Sequence, residues 1–82
     1  MNHKFRKKRW KVTFGKLNKI YGLCNYDTKE ITIRKSLDGD LRLDTIIHEC
    51  LHACYPDLDD ECIDETATDI TKLLSRLGYG LI

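Results

Sequence analysis

One short segment, residues 44–54, constrains the fold and the chemistry of this chain more than any other. It contains the pattern His-Glu-x-x-His, formed by His48, Glu49 and His52. In an α-helix, residues four positions apart lie on one face, so the two imidazoles can reach a single Zn²⁺ ion at about 2.0–2.1 Å. Glu49 would then flank the metal and could accept a proton from a metal-activated water. The alternative interpretation is a pair of histidines on a solvated helix face.

The length of the chain restricts it to one small domain. Its 82 residues lie near the size at which a hydrophobic core is only marginally sufficient, and a metal that ties two helices together would add stability. No run of 18 apolar residues occurs, and no apolar stretch follows the basic N-terminus, so we predict neither a membrane span nor a secretory signal. We therefore expect a cytoplasmic protein with reduced cysteines.

The net charge of +1 conceals a strong segregation of charge along the chain. Residues 1–19 contain eight Lys and Arg residues and no Asp or Glu, whereas the other 63 contain six basic and 13 acidic residues. We predict a flexible basic arm over residues 1–9, which can contact nucleic-acid phosphates or an acidic protein surface. Its cations are Lys4, Arg6, Lys7, Lys8 and Arg9. The alternative is a solubilising tail that folds back on the acidic half.

Alternating apolar residues predict three strands before the motif. They cover residues 10–17, 20–26 and 30–35, and turn chemistry at residues 27–29 joins the second and third in a β-hairpin. The inward-facing side chains predicted for the first and third strands are Trp10, Val12, Phe14, Ile31 and Ile33. We expect residues 30–35 at the edge of the sheet, where an extended peptide could add as a further strand.

Two helices are predicted after the sheet, and Pro56 separates them. The N-cap candidates are Asp40 and Asp44 for the first helix and Asp57 and Asp59 for the second, which Gly78 should follow. The predicted apolar stripes are Leu43, Ile47, Cys50, Leu51 and Cys54 on the first helix, and Ile63, Ala67, Ile70, Leu74 and Leu77 on the second. Both motif histidines lie outside the first stripe, as ligands that open onto a cleft must.

Two histidines do not complete a zinc site, which needs a third protein ligand and, for catalysis, an open position. The second helix offers four acids, Glu61, Asp64, Glu65 and Asp69. Glu65 and Asp69 lie one turn apart on a shared face, so one can bind the metal while the other accepts a hydrogen bond from a ligating imidazole. Acids in the first turns of a helix more often only cap it, which is the alternative for Glu61 and Asp64.

These motifs resemble those of the gluzincin metallopeptidases, the thermolysin-like branch of the zincins. In that family a Glu on the helix after His-Glu-x-x-His is followed by a Ser/Thr–Asp pair, and Glu65, Thr68 and Asp69 fit this pattern. The resemblance implies a minimal zincin core with a zinc cofactor. The implied roles are zinc ligand for His48, His52 and Glu65, general base for Glu49, and hydrogen-bond partner of a ligating histidine for Asp69.

The chain also resembles small phage and bacterial SprT-like metallopeptidases, which implies a bacterial or phage-infected cytoplasm. The motif match covers residues 44–77, and residues 1–35 share only a compatible order of strands. The chain departs from both patterns: only 12 residues separate His52 from Glu65, and His3 is the one histidine outside the motif, whereas SprT-type enzymes use a third His. Many relatives polarise the substrate carbonyl with a downstream His or Tyr. We retain Tyr55 as the candidate transition-state stabiliser, with Tyr26, Tyr79 and His3 as alternatives.

Two other arrangements compete with this interpretation. Cys50 and Cys54 are also four positions apart and could bind metal with Cys62 or Cys24, although free Cys on an apolar stripe is often a small buried hydrophobe. Trp10 among basic residues could stack on a nucleobase, although its place in an alternating strand favours core packing.

The sequence therefore predicts a single α+β domain over residues 10–82, with a three-stranded sheet followed by two helices. The predicted function is zinc-dependent hydrolysis of peptide bonds in a peptide or protein substrate. The alternative is a non-catalytic, zinc-stabilised module that binds nucleic acid or a protein partner through its basic N-terminus.

Overall fold

Four strands precede two helices in the computed structural model, which describes residues 1–79. The elements are β1 (Asn2–Phe5), β2 (Lys8–Gly15), β3 (Gly22–Asn25), β4 (Glu30–Arg34), α1 (Gly39–Cys54) and α2 (Asp60–Arg76). The α+β class is confirmed, with four strands instead of the three predicted. None of the helices within residues 1–79 has the length and apolar character needed to cross a membrane.

The strands form one sheet in the order β1-β2-β4-β3. The β1–β2 and β3–β4 pairs are antiparallel, and β2 runs parallel to β4. The prediction that residues 30–35 form an edge strand is therefore wrong. The tight β3–β4 hairpin can occupy only one side of β4, and β2 pairs with the other side, so β3 becomes the edge.

The additional strand lies where the sequence predicts a flexible arm, over residues 1–9. These residues form β1, a turn and the start of β2, with Lys4 opposite Arg9 in the register. The Met1 amine donates to the Val12 carbonyl at 2.8 Å, and the Val12 N–H donates to the Met1 carbonyl at 2.7 Å. The turn contains no Gly or Asn that would announce a hairpin in the sequence. A defined hairpin therefore replaces the predicted arm.

The core lies between the sheet and α1. Trp10, Ile31, Ile33 and Leu37 form its buried cluster. This confirms the inward-facing positions predicted for Trp10, Ile31 and Ile33, whereas Phe14 is 45% exposed beneath the Arg42 guanidinium.

The two helices occupy different layers. α1 contacts β1, β3 and β4, whereas α2 contacts α1 and no strand. The apolar stripe predicted for α1 is only half-buried, and the buried α1 side chains are Thr45 and Glu49. Because α1 lies in the middle layer, the sheet covers one side of it and α2 covers another. The buried surface of α1 is therefore wider than the single apolar stripe predicted from the sequence.

The rotation of α2 about its axis follows from its buried residues. Asp59 caps the helix by accepting a hydrogen bond from the Cys62 N–H at 2.8 Å, as predicted. Ile63, Ala67 and Thr71 are buried, and Ile63 and Ala67 belong to the predicted stripe. Gly78 follows the helix with φ +92°, as expected for a helix-terminating glycine.

Candidate metal centre

The two motif histidines lie one turn apart on α1 and approach each other closely. Their Nε2 atoms are 3.2 Å apart, and their side chains are 28% and 19% exposed for His48 and His52 respectively. Two nitrogens held at about 2.0–2.1 Å by one tetrahedral ion would be about 3.3–3.4 Å apart. The spacing of the imidazoles therefore fits a shared metal ion.

The second nitrogen of His48 faces a carboxylate. Its Nδ1 lies 3.1 Å from Oδ1 of Asp64. An Nδ1–H that donates to this carboxylate fixes the tautomer and leaves the Nε2 lone pair free to bind a metal. Asp64 thus makes the contact for which the sequence predicts Asp69.

A second carboxylate of α2 faces His52. Oδ1 of Asp60 lies 3.9 Å from the His52 Nε2, on the side of the ring where the two histidines meet. Asp60 and Asp64 are one turn apart, the same spacing that the sequence analysis considered for Glu65 and Asp69. Asp60 is therefore the carboxylate best situated to become a third ligand.

Glu65 and Asp69 are exposed and line a shallow depression of about 350 Å³ with Asp64 and Thr68. An α-helix advances about 100° per residue, so Glu65 lies about 160–200° around α2 from Ile63 and Ala67. Those two buried side chains face α1, and the far side of α2 therefore carries Glu65. Its role as a ligand remains a prediction from the family resemblance.

Within residues 1–79, no set of three or more His, Cys, Asp or Glu side chains converges closely enough to hold a metal ion. The histidine pair has a suitable spacing, but the Asp60 carboxylate is 3.9 Å from the His52 Nε2 and 89% exposed. Asp64 instead faces the Nδ1 side of His48. The residues present thus fit two ligands and the carboxylate that orients one of them, and Asp60 would complete the set once its exposed side chain moved toward the histidine pair.

Glu49 is buried between α1 and β3, at only 7% exposure. Burial raises the pKa of Glu49, and the smaller effect of His48 opposes that rise. Gly22 makes the close packing possible, because a Cβ atom there would lie 2.6 Å from the Glu49 Oε2 and 2.9 Å from the Thr45 Cγ2. Gly22 is not among the predicted site residues, although a glycine at a predicted strand can signal such a close approach.

Burial lowers the pKa of His52, and the nearby His48 lowers it further, while Asp60 and Asp64 act in the opposite direction. The ring of His52 is therefore neutral over more of the pH range than an exposed histidine. A neutral ring can offer the lone pair that a metal ligand needs.

The cleft beside these residues consists of two adjoining cavities of about 440 and 390 Å³. Both are lined by Gly22, His48, Glu49 and Asp64. The other lining residues are Tyr21, Leu41, Asp44, Thr45 and Thr68 in the first cavity, and Leu23, Cys24, Tyr26, His52 and Asp60 in the second. Neither lining contains Lys or Arg, so this histidine cleft suits a cation.

The candidates for transition-state stabilisation are distributed unevenly. Tyr55 is 50% exposed, lies under the Arg6 guanidinium at 5.0 Å and lines neither part of the cleft. The ring of His3 contacts that of Phe5 at 4.8 Å between centroids. Of the four candidates only Tyr26 lines the histidine cleft, which makes it the better situated tyrosine.

The cysteines of the chain are free thiols. Burial raises the pKa of Cys24 to about 11, with a further contribution from the charge of Glu49. Burial likewise raises the pKa of Cys50 to about 11. Thiols with such values hold their protons at neutral pH. The cysteines also form no metal-binding group with other side chains, since no three His, Cys, Asp or Glu side chains converge within residues 1–79.

The chain matches no protein-family model, and neither the curated proteins nor the solved structures contain a detectable match to it. The gluzincin and SprT-like resemblances therefore rest on the motif residues alone.

Proposed function

We propose that this chain is a zinc-dependent metallopeptidase. The observation that carries the proposal is the 3.2 Å separation of the His48 and His52 Nε2 atoms, beside the buried carboxylate of Glu49. A solvated pair of histidines has no need of a buried acid next to it or of a carboxylate that orients one ring. Both features support a metal site that performs acid–base chemistry.

His48 and His52 would hold the zinc ion, with Asp60 as the third ligand and Asp64 as the partner of the His48 Nδ1. A zinc ion bound there supplies a Lewis acid that polarises a carbonyl group and lowers the pKa of water. Asp60 is preferred to Glu65 because its carboxylate faces the histidine pair, whereas Glu65 lies on the far side of α2.

Glu49 would move the proton. Hydrolysis requires that the attacking water lose a proton and that the leaving amine nitrogen gain one as the C–N bond breaks. The Glu49 carboxylate accepts the first proton and donates it to the amine. Its raised pKa supports this exchange, because a general base works best when its pKa approaches the working pH.

The edge strand β3 offers a place for an extended peptide. The Arg34 N–H donates to the Tyr21 carbonyl at 2.7 Å, so in this antiparallel pair the alternate residues Gly22 and Cys24 turn their backbone polar groups away from β4. Both residues also line the histidine cleft. A substrate that pairs with this free edge would lie along the histidine cleft beside Glu49.

Metal analysis of protein purified without chelators tests the zinc site. We expect about one zinc per chain in the wild type, loss of zinc in His48→Ala and Asp60→Ala, and retention in Glu65→Ala. Loss in Glu65→Ala with retention in Asp60→Ala would assign the third ligand as the gluzincin resemblance implies. A wild-type protein that folds without zinc and does not bind added zinc would overturn the proposal.

The rival function is a zinc-stabilised binding module without catalysis. The two functions differ in the role of Glu49, which a binding module does not need. Zinc-loaded wild-type protein should cleave unfolded casein, and zinc-loaded Glu49→Gln should not. If the wild-type protein binds zinc but leaves casein and a panel of short peptides intact, the binding module is the better description.

A further inference from the structure

Another cavity, of about 460 Å³, lies apart from the histidine cleft, where the β1–β2 turn and the β3–β4 turn meet the C-terminal end of α1. Three aromatic and three basic side chains dominate its lining, which we call the basic–aromatic cavity. They are Phe5, Trp10, Tyr26, Arg6, Lys8 and Lys29. Asp57 is the only acid of this lining.

Two of the three cations are available to a ligand. The Arg6 guanidinium donates to the Cys54 carbonyl at 2.9 Å and lies over the Tyr55 ring, so it already has partners. Lys8 and Lys29 form no ion pair with any carboxylate in the described part of the chain. Two unpaired ammonium groups at one cavity favour an anionic ligand.

Phe5 and Tyr26 supply the accessible aromatic surface of the cavity, since Trp10 is almost wholly buried. Trp10 is 3% exposed, and its ring meets that of Tyr26 edge to face at 6.2 Å between centroids. Its buried indole Nε1 has no hydrogen-bond partner among residues 1–79. Because this atom is shielded from solvent, Trp10 contributes an apolar floor to the cavity and no hydrogen bond to a ligand.

The backbone around this cavity is also unusual. Within residues 1–79, the non-glycine residues with positive φ are Arg6 at 49°, Lys7 at 71° and Lys29 at 55°. All three lie in the two turns that border the cavity, and Arg6 and Lys29 line it. A two-residue hairpin loop requires positive φ at both central residues, so the β1–β2 turn itself accounts for Arg6 and Lys7 and presents Arg6 and Lys8 to the cavity.

We propose that the basic–aromatic cavity is a nucleotide-binding site. The heteroaromatic base would lie against Phe5 and Tyr26, over the buried Trp10, and the phosphate would pair with Lys8 and Lys29. This combination of aromatic surface with lysine side chains is the chemistry by which proteins hold single nucleotides and single-stranded nucleic acid. The site does not depend on the proposed peptidase activity and needs no metal.

The natural ligand could be a free nucleotide or one unit of a single-stranded nucleic acid, since both present a base next to a phosphate. A nucleic acid would extend beyond the cavity over the basic β1–β2 hairpin, where Lys4 and Arg9 lie opposite each other. Each further phosphate contact would increase the dependence of affinity on salt.

The sole tryptophan of the chain reports on this site directly. We expect AMP to change the Trp10 fluorescence and to shift its indole N–H resonance in a saturable manner. Adenosine, which lacks the phosphate, and inorganic phosphate, which lacks the ring, should each bind at least about tenfold more weakly. Equal effects of AMP and inorganic phosphate, or no effect of AMP at concentrations on the order of 10 mM, would overturn the proposal.

Matched variants locate the binding. The double substitution Lys8→Gln, Lys29→Gln should weaken AMP about tenfold, since each pairing contributes up to about a factor of five, and should leave adenosine unaffected. Lys16→Gln, Lys19→Gln removes the same charge from residues that line none of the described cavities, and should bind AMP like the wild type. Lys8→Arg, Lys29→Arg should retain binding and exclude a folding defect at these positions. If Lys16→Gln, Lys19→Gln loses as much affinity for AMP, the effect is due to net charge alone and the proposed site is refuted.

A four-nucleotide oligodeoxyadenylate distinguishes the two sources of the ligand. If it binds more tightly than AMP and its affinity falls more steeply with salt, the cavity is part of a nucleic-acid surface. If the two ligands bind equally at all salt concentrations, the cavity takes the free nucleotide.

Discussion

The histidine cleft and the basic–aromatic cavity are both built against α1, and Tyr26 lines both, yet their charges are opposite. The cleft is lined by carboxylates and histidines without Lys or Arg, whereas the cavity is lined by three cations and one acid. The segregation of charge along the sequence thus becomes a segregation in space. It arises because the basic hairpin reaches one end of α1, while the acidic start of α2 packs along its histidine face.

This difference favours two ligands of opposite charge. Acids that face neutral imidazoles can hold a divalent cation, and lysines beside aromatic rings can hold an anion. Keeping the two groups apart prevents the lysines from neutralising the carboxylates that the proposed metal centre needs. The contrast can be tested one region at a time.

The largest effect is expected for Glu49, the proposed proton acceptor of the histidine cleft. Glu49→Gln should retain zinc and lower the rate of peptide cleavage by about 10²–10⁴-fold, the range typical of general base removal. Lys8→Gln, Lys29→Gln in the other region should leave the cleavage rate unchanged. The measurement is the rate of peptide cleavage by the zinc-loaded proteins. If both variants lower this rate equally, the histidine cleft and the basic–aromatic cavity are not independent.

The contact between Asp64 and His48 should have the next largest effect. Asp64→Asn removes a charge-assisted partner of the imidazole, and we expect zinc affinity to fall by about 10–100-fold in competition with a chelating dye. Glu65→Gln is the matched control, since it removes the adjacent charge on the far side of α2. A greater loss in Glu65→Gln would contradict the orientation of α2 described here.

Gly22→Ala should impair the cleft through shape alone. The added Cβ would lie 2.6 Å from the Glu49 Oε2 and 2.8 Å from its Cγ, so the carboxylate must move. We expect cleavage to fall by up to about 10²-fold and the free energy of unfolding to fall by about 1–3 kcal/mol. Gly15→Ala meets only an ordinary contact at 3.5 Å and should change stability by less than about 0.5 kcal/mol. Similar denaturation midpoints for the two variants would show that the approach at Gly22 is looser than the structure indicates.

The smallest effect concerns the stability of the metal-free protein. The pKa of Glu49 is raised in the folded state, so folding favours its protonated form. The stability gained in this way is fully present below the ordinary Glu pKa of about 4.3, and it is lost as the pH rises through the raised pKa. Metal-free Glu49→Gln, which cannot ionise, should therefore melt at a higher temperature than the metal-free wild type at neutral pH. The advantage in melting temperature should shrink as pH falls toward about 4.

Calorimetry at two pH values can detect this difference in melting temperature. A change of 1 kcal/mol in the free energy of unfolding shifts the melting temperature of a domain this size by about 4–8 °C. A difference that does not vary with pH would exclude ionisation of Glu49 as its cause.

Several features of the site were predictable because local sequence encodes them. The spacing of His48 and His52 determines that they share a helix face, and the structure brings their Nε2 atoms together. The rotation of α2 about its own axis could also be predicted from the sequence. The buried Ile63 and Ala67 lie in the predicted apolar stripe, and Glu65 lies nearly opposite them on the helix. The family pattern favours Glu65 as the third ligand, which stays a prediction, whereas the helical periodicity places Asp60 and Asp64 on the side of α2 that faces α1.

The α+β class, the inward-facing Ile31 and Ile33, and the histidine pair can be predicted from sequence, because each depends on residues a few positions apart. Long-range packing is what makes β1 pair with β2, leaves β3 as a free edge, and places Gly22 against Glu49. It also brought two distant turns to one end of α1 and so created the basic–aromatic cavity. The physical reason is that these features depend on which surfaces are buried together, and residues far apart in the chain determine that burial jointly.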